Sequence, residues 1–290
     1  MPSKNKQLLY CDEARLKGVV VVCFLIFANA SHAQNGDDWQ SWPMGDRFTI
    51  VLNAFFPKIH TSVRVDASDG IRGTELSFEQ NLGMSDTETL PRLGLSWRFA
   101  KKHRLIFDVF NLDRSGSAIV TSEIRFGDEV FQVNLPISSF FDTRVTSIGY
   151  SYSLLFDEKK ELALSVGLSI QDIQFGLIGT AGAGLIEQDT GLTAPLPAFG
   201  LSGGYAFTDK WILRGGLGVF AFSIALSDEE ELSGEIINAI IALQHNTFEN
   251  VHFRLSYSYF DVNVKFNNGR RSSALAYEYY GPMLSFEYAF

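Results

Sequence analysis

The sequence predicts an all-β chain, closed into an antiparallel barrel whose strands cross a membrane. Three observations carry the prediction. From Arg47 onward, segment after segment of about ten residues alternates apolar with polar or small side chains. The joints between segments are alternately short and long, and the chain ends on aromatics spaced by two, Phe286, Tyr288 and Phe290. Period-two alternation marks a strand with one apolar face. In lipid such a sheet must close, because an open edge leaves backbone N–H and C=O groups unpaired.

The first 33 residues precede this pattern and read as a secretory signal. Lys4, Lys6, Arg15 and Lys17 come before the apolar run GVVVVCFLIF, and small residues at Ser31 and Ala33 fit cleavage after Ala33, with Ala30 as the alternative. The run is too short to span a membrane, and no later stretch approaches the roughly 18 to 20 apolar residues that a spanning helix needs. Both cysteines, Cys11 and Cys23, lie in the signal, so the exported chain is expected to have neither a disulfide nor a thiolate metal site. The whole chain has a net charge of −9; removing the four basic and two acidic signal residues takes it to −11. Nucleic acid is not an expected partner of so acidic a chain.

Residues 162–170 give the clearest strand: Leu162, Leu164, Val166, Leu168 and Ile170 share one face, with Ala163, Ser165, Gly167 and Ser169 on the other. Comparable apolar faces are Leu93, Leu95, Trp97 and Phe99; Ile148, Tyr150, Tyr152, Leu154 and Phe156; and Phe199, Leu201, Gly203, Tyr205 and Phe207. Short polar turns (KKH at 101–103, DEKK at 157–160, TDK at 208–210, HNTFEN at 245–250) alternate with long connections near 113–146, 172–196, 222–235 and 260–279. Short turns at one end and long loops at the other are the pattern of an outer-membrane barrel.

Composition separates that barrel from a soluble sandwich. The exported part has seven lysines, five of them in short turns (Lys101, Lys102, Lys159, Lys160, Lys210), where a water-exposed sheet face would carry more. The polar faces are instead rich in Ser, Gly and Ala, which suits a confined lumen. Trp97, Phe99, Phe107, Phe156, Phe207, Trp211, Phe253, Tyr288 and Phe290 gather near the short turns as an aromatic girdle.

The ending LSFEYAF resembles the C-terminal signature of Gram-negative outer-membrane β-barrel proteins. The resemblance implies that Phe290, Tyr288 and Phe286 form an assembly signal read by the barrel assembly machinery, and that the protein resides in the bacterial outer membrane. The expected organisation is a signal peptide at 1–33, a periplasmic N-terminal segment at 34–46 and a transmembrane barrel at 47–290. Outer-membrane lipid and lipopolysaccharide are the expected surroundings, and a monomer the expected state.

Export of the N-terminus into the compartment where the last strand ends makes the strand number even. Residues 104–290 supply eight strands. Segments 48–56, 59–65, 74–80 and 91–99 bring the total to twelve, favoured because SDGI at 68–71 is a good tight turn; if 58–90 is an extracellular excursion, the total is ten. The apolar face switches from odd residues (Val251 to Tyr259) to even ones (Phe260 to Phe266), which predicts a bulge or membrane exit near Tyr259. SAIVTSEIRFGDEVFQVNLP, within 113–146, predicts two strands continuing as a hairpin about Gly127-Asp128.

Chemical motifs are few. GLSGG at 200–204 has the letters of a nucleophile elbow but lies mid-strand with Ser202 on the lumen face. GTAGAG at 179–184 lacks a following helix, and FGLIGTAGAGL reads as a loop, with a constriction folded into the barrel mouth as the sharper alternative. His60 shares a face with Ser62, Arg64 and Asp66, but neighbours on one face lie about 7 Å apart, a poor distance for a catalytic hydrogen bond. The acidic run at 228–231 reads as solvated loop charge. No cofactor or metal is expected.

The lumen holds the most informative residues. Alternation turns Arg47, Arg64, Asp66, Glu75, Glu79, Arg92, Arg98, Arg104, Asp108, Arg214, Arg254 and Glu287 inward, opposite a wall of Ser, Gly and Ala from strands 147–155, 163–169 and 198–206. Two functions are compatible with such a lumen, neither enzymatic. The leading one is a narrow pore or passive transporter for small polar solutes, its field set by Arg92, Arg98, Arg104, Arg214 and Arg254. The alternative is a plugged barrel that acts through its outer loops; a lipid-modifying enzyme is a distant third.

Overall fold

A computed structural model describes residues 39–181, 184–225, 230–269 and 271–290. The predicted signal (1–33) and residues 34–38 of the N-terminal segment lie outside the described residues, as do Gly182, Ala183 and residues 226–229 of the two motifs noted above.

The strands in chain order are β1 (Phe48–Phe55), β2 (Lys58–Val65), β3 (Leu76–Ser77), β4 (Leu90–Ala100), β5 (His103–Ile119), β6 (Ile124–Phe126), β7 (Glu129–Phe131), β8 (Pro136–Phe156), β9 (Lys160–Ala181), β10 (Gly184–Ala206), β11 (Trp211–Ala225), β12 (Glu230–Asn246), β13 (Val251–Asn268) and β14 (Arg271–Ala289). One helical turn, α1 (Phe78–Asn81), comes directly after β3. Antiparallel pairing runs β1-β4-β5-β8-β9-β10-β11-β12-β13-β14, and β14 pairs with β1 to close a ring of ten strands.

The seam lies where the ending of the chain predicts it: Thr49–Phe55 pair with Ala289–Met283. Phe286, Tyr288 and Phe290 face outward, and the Phe290 ring meets Phe48 across the seam at 5.7 Å. On β9 the row Leu162 to Ile170 is 39–49% exposed on its outer side, an apolar stripe that only lipid can cover. Charged residues take over the outer face at similar heights around the ring, at Lys58, Asp113, Arg144, Asp172, Glu235, Asp261 and Glu278, which marks the edge of the apolar band at the end of the long hairpins.

The count is ten rather than the favoured twelve. Lys58–Val65 continue the β1 register on β14, pairing with Tyr280–Ser273, and the Phe56 N–H donates to Pro282 O (3.0 Å) in between. Residues 48–65 are thus one membrane strand interrupted at Phe56-Pro57, since proline has no N–H to give the ladder. SDGI does turn, with the Ala67 N–H bonded to Ile71 O (2.9 Å). The chain beyond that turn forms no barrel strand: only Leu76 and Ser77 pair, with Val63 and Ser62, before α1 begins. The alternation of Leu76 and Phe78 serves the lumen, where both are buried.

Further expectations are corrected. Of the two alternatives near Tyr259 the bulge is excluded, because the pairing of β13 with β12 and β14 is continuous and its even residues point inward throughout; the charged edge of the apolar band falls at Asp261, and Phe260, Val262 and Val264 are apolar because the upper lumen is filled. Residues 124–131 are not an extension of β5 and β8 but a separate hairpin turning at Gly127-Asp128, folded inward with Phe126 and Phe131 fully buried. Phe156 leaves the girdle because a register shift between Ser153 and Leu155 turns it into the lumen. The predicted long loops near 172–196, 222–235 and 260–279 are mostly strand: β9–β10, β11–β12 and β13–β14 continue as paired hairpins above the membrane. The segment 175–181 belongs to one of them, where a folded-in constriction was the sharper alternative.

Candidate functional site: the occluded lumen

The lumen has three levels. The roof is built from α1, the β6–β7 hairpin and the inward rows of the upper strands. The Phe78 ring stacks on Phe175 (4.6 Å) and meets Phe141 edge-on (5.2 Å), while Phe126 meets Phe175 from another side (5.1 Å). Aromatic pairs of this kind add about 0.5–1.5 kcal/mol to the burial of the rings. Buried within the apolar mass is Arg114. Its Nη2 donates to Glu79 Oε1 (2.6 Å) and Ser85 O (2.5 Å), its Nη1 to Thr61 Oγ1 (3.0 Å), and the Thr61 N–H donates to Glu79 Oε2 (3.0 Å). The segment after α1 fits against β5 because Gly83 takes a positive φ of 71° and Gly116 lacks a Cβ, which would sit 2.4 Å from Leu82 O.

Asp128, at the hairpin tip, ties the roof to the rim. It accepts from the Ser68 N–H (2.7 Å) and from Arg271 (2.7 Å), and these two donors hold its carboxyl below the usual carboxylate range.

Beneath the roof lies a chamber in two lobes, of about 420 Å³ and 380 Å³, that share Arg92, Ile106, Asp108, Ser202 and Met283 in their walls. Ser147, Gly149, Ser165, Gly167, Gly200 and Ser202 form the small-residue wall. Arg92 faces it, bonded to Asp108 (2.8 Å) and lying over the Phe110 ring (4.6 Å).

The floor is charged. Arg98, fully buried, donates to Glu161 Oε1 (2.5 Å), Ser153 Oγ (3.3 Å) and Lys101 O (2.8 Å), with its guanidinium 4.0 Å from the Phe156 ring centre. Arg104 and Arg214 approach the other oxygen of Glu161 at 3.5 and 4.0 Å. Arg214 Nε also donates to Gln244 (2.6 Å). Arg254 pairs with Glu287, and His252 Nε2 lies 3.2 Å from Asp46. Residues 39–46 run under this cluster: Trp42 and Trp39 pack on Phe156 (5.1 and 6.4 Å), Met44 is fully buried, and Asn246 bonds Pro43 O (3.1 Å). A Cβ at Gly45 would fall 1.9 Å from Trp39 O, so only glycine permits that tuck.

Of the residues singled out by alternation, Arg92, Arg104, Arg214, Arg254 and Glu287 line the chamber, and Arg98 lies just behind Glu161. Glu79 sits in the roof, and its partner is Arg114. Glu75 departs from the expectation: it is exposed on the short approach to β3 and takes no part in the lumen. Arg64 is paired with Asp66 (3.1 Å) on the outward row, because odd residues of β2 point inward; His60 shares that outward row, beside Tyr280. Two central residues escape the alternation reading. Counting back by twos from Ala163 puts Glu161 on the lumen face, and counting on from Asp108 does the same for Arg114, but one adjoins a turn and the other lies in a stretch read as loop.

No family model matches the sequence, and no curated relative matches it. Solved structures do match in fold. The outer membrane protease OmpT from Escherichia coli aligns with a TM-score of 0.54 at 10% identity, over 84% of this chain and 97% of that one. The Pseudomonas putida toluene transporter TodX aligns at 0.34 with 11% identity, over 90% and 95%. The translocator domain of the autotransporter NalP from Neisseria meningitidis aligns at 0.40 with 9% identity, over 96% and 95%. The protease is an outer-membrane β-barrel of a Gram-negative bacterium, and this chain has the fold of that class.

Proposed function

We propose that the protein serves in the outer membrane as a plugged barrel, working through its extracellular crown rather than through a pore. The roof carries this reading: Phe78, Phe126, Phe131 and Phe141, each at most 1% exposed, fill the upper lumen, and Arg114 is held among them by short bonds to Thr61, Glu79 and Ser85. An open passage needs water-filled space at this level. The crown is extensive, since β8, β9 and β10 run for 21, 22 and 23 residues where about ten suffice to cross a bilayer. Purified protein in a planar bilayer is expected to be silent at moderate voltage; steady single-channel conductance overturns the reading.

The chamber favours a second reading, a gated passage for small polar solutes, because a barrel serving only as a scaffold has no need of an internal cavity beside Arg92 and Asp108. Under that reading Phe78→Ala opens a stable conductance, whereas in a plugged barrel it lowers stability with only irregular leak. Neither reading gives Ser202 or His60 a catalytic role: Ser202 faces the chamber in mid-strand, and His60 is exposed on the outer face. The outward band is proposed to contact lipid and lipopolysaccharide around a monomer, and the row Phe286, Tyr288, Phe290 to engage the assembly machinery during insertion.

A further inference from the structure

The chamber floor has more positive than negative charge. Arg92 with Asp108, and Arg254 with Glu287, are one-to-one pairs. Glu161 alone faces three guanidiniums, and the remaining carboxylate nearby, Asp46, lies against His252. Counting histidine as neutral, five arginines meet four carboxylates, one positive charge in excess. Charge-assisted N–H···O bonds are normally about 2.7–2.9 Å. Arg98 takes the short bond to Glu161, and Arg104 and Arg214 are left at 3.5 and 4.0 Å. Arg104 Nε and Arg254 Nε are buried with no hydrogen-bond partner among the described residues, as are Nε of Arg92, Arg98 and Arg114; what sets Arg104 apart is that its terminal nitrogens also lack a short bond to Glu161. An uncompensated charge in a lumen ringed by lipid is costly, and so is an unused buried donor. The lower lobe, about 380 Å³, provides the space next to these donors: Arg92, Arg104, Arg214 and Arg254 share its wall with Asp46, Asp108, Glu161 and Glu287. The surplus charge comes from Arg98 behind that wall, which takes up Glu161 and leaves Arg104 and Arg214 undercompensated.

We infer that the lower lobe binds one small monovalent anion of the chloride class, held by Arg104 and Arg214 on the side away from Glu161, which neutralises the floor. A divalent anion overshoots the balance by one charge. The site goes beyond the plugged-barrel reading and does not depend on it, since a closed and a gated lumen need the same counter-ion.

Full-length protein crystallised with bromide tests the site directly: an anomalous peak is expected in the lower lobe, within hydrogen-bonding distance of the Arg104 and Arg214 guanidiniums. In detergent solution, unfolding is followed in chloride and in sulfate of equal ionic strength. A chloride concentration about 100 times its Kd is expected to lower the unfolding constant about 100-fold relative to sulfate, once the general salt effect recorded for Arg104→Gln is subtracted. That variant removes the surplus charge and with it the chloride response and the peak; Glu161→Gln doubles the surplus and strengthens both. If Arg104→Gln does not fold, Arg214→Gln replaces it. An empty lower lobe in bromide crystals overturns the inference, as does a chloride response that the arginine variants leave unchanged.

Discussion

The upper and lower halves of the lumen both bury arginine, in opposite ways. In the roof Arg114 is alone among phenylalanines, with Glu79 as its one carboxylate and both terminal nitrogens in short bonds, Nε alone being left without a partner among the described residues. On the floor Arg98, Arg104 and Arg214 converge on Glu161 beside a chamber, and only Arg98 is tightly bound to it. The roof is therefore a single-partner site, where losing one group strands another in an apolar interior. The floor is a shared site, where losing one group leaves the rest partly compensated.

The largest effect expected from this difference is at Arg114. Arg114→Ala strands Glu79 and Ser85 O away from water, and breaking a buried pair on one side costs about 3–5 kcal/mol. A matching fall in urea stability, with loss of the folded band on unheated electrophoresis, checks it. Arg98 is buried as completely, but Arg98→Ala leaves Glu161 facing Arg104 and Arg214; the expected loss is about 1.5–3 kcal/mol, the value of charged hydrogen bonds. Equal losses at the two positions would erase the distinction between roof and floor. Glu161→Gln probes it further, because it loosens three arginines at once and is expected to cost more than Arg98→Ala.

The smallest effect is at the rim. The donors on Asp128 lower its folded carboxyl below the unfolded value of about 3.9, so its contribution is complete above that value and fades as pH falls through the lower folded one. The roof tie is thus indifferent to pH across the neutral range and loosens only in acid. Hydrogen exchange at the Ser68 amide checks this: protection is expected to hold at neutral pH and to be lost at all pH values in Asp128→Ala.

The lower barrel was the more legible half. Along 162–170 alternation names both faces, because below the charged edge of the band apolar means lipid and small or charged means lumen. Above that edge the rule inverts. Phe260, Val262 and Val264 line an apolar interior while Asp261 and Glu278 face outward, so a pattern that reports polarity alone admits two readings near Tyr259, a bulge or a membrane exit, and the bulge is not there. The strand count failed for a related reason: Leu76 and Phe78 alternate like strand residues while packing as a plug. The register shift at Ser153/Leu155, which brings Phe156 under Arg98, leaves no mark in composition. Glu161 shows that residues beside turns belong to the lumen count as long as the ladder continues through them.

Whether the roof seals the chamber from outside is tested most directly by thiol access. Residues 34–290 contain no cysteine, so Ser202→Cys gives one reporter in the chamber. A small, membrane-impermeant thiol reagent added outside intact cells is expected to leave it unlabelled, and to label it once Phe78→Ala opens the roof. Prompt labelling with the roof intact refutes a sealed chamber.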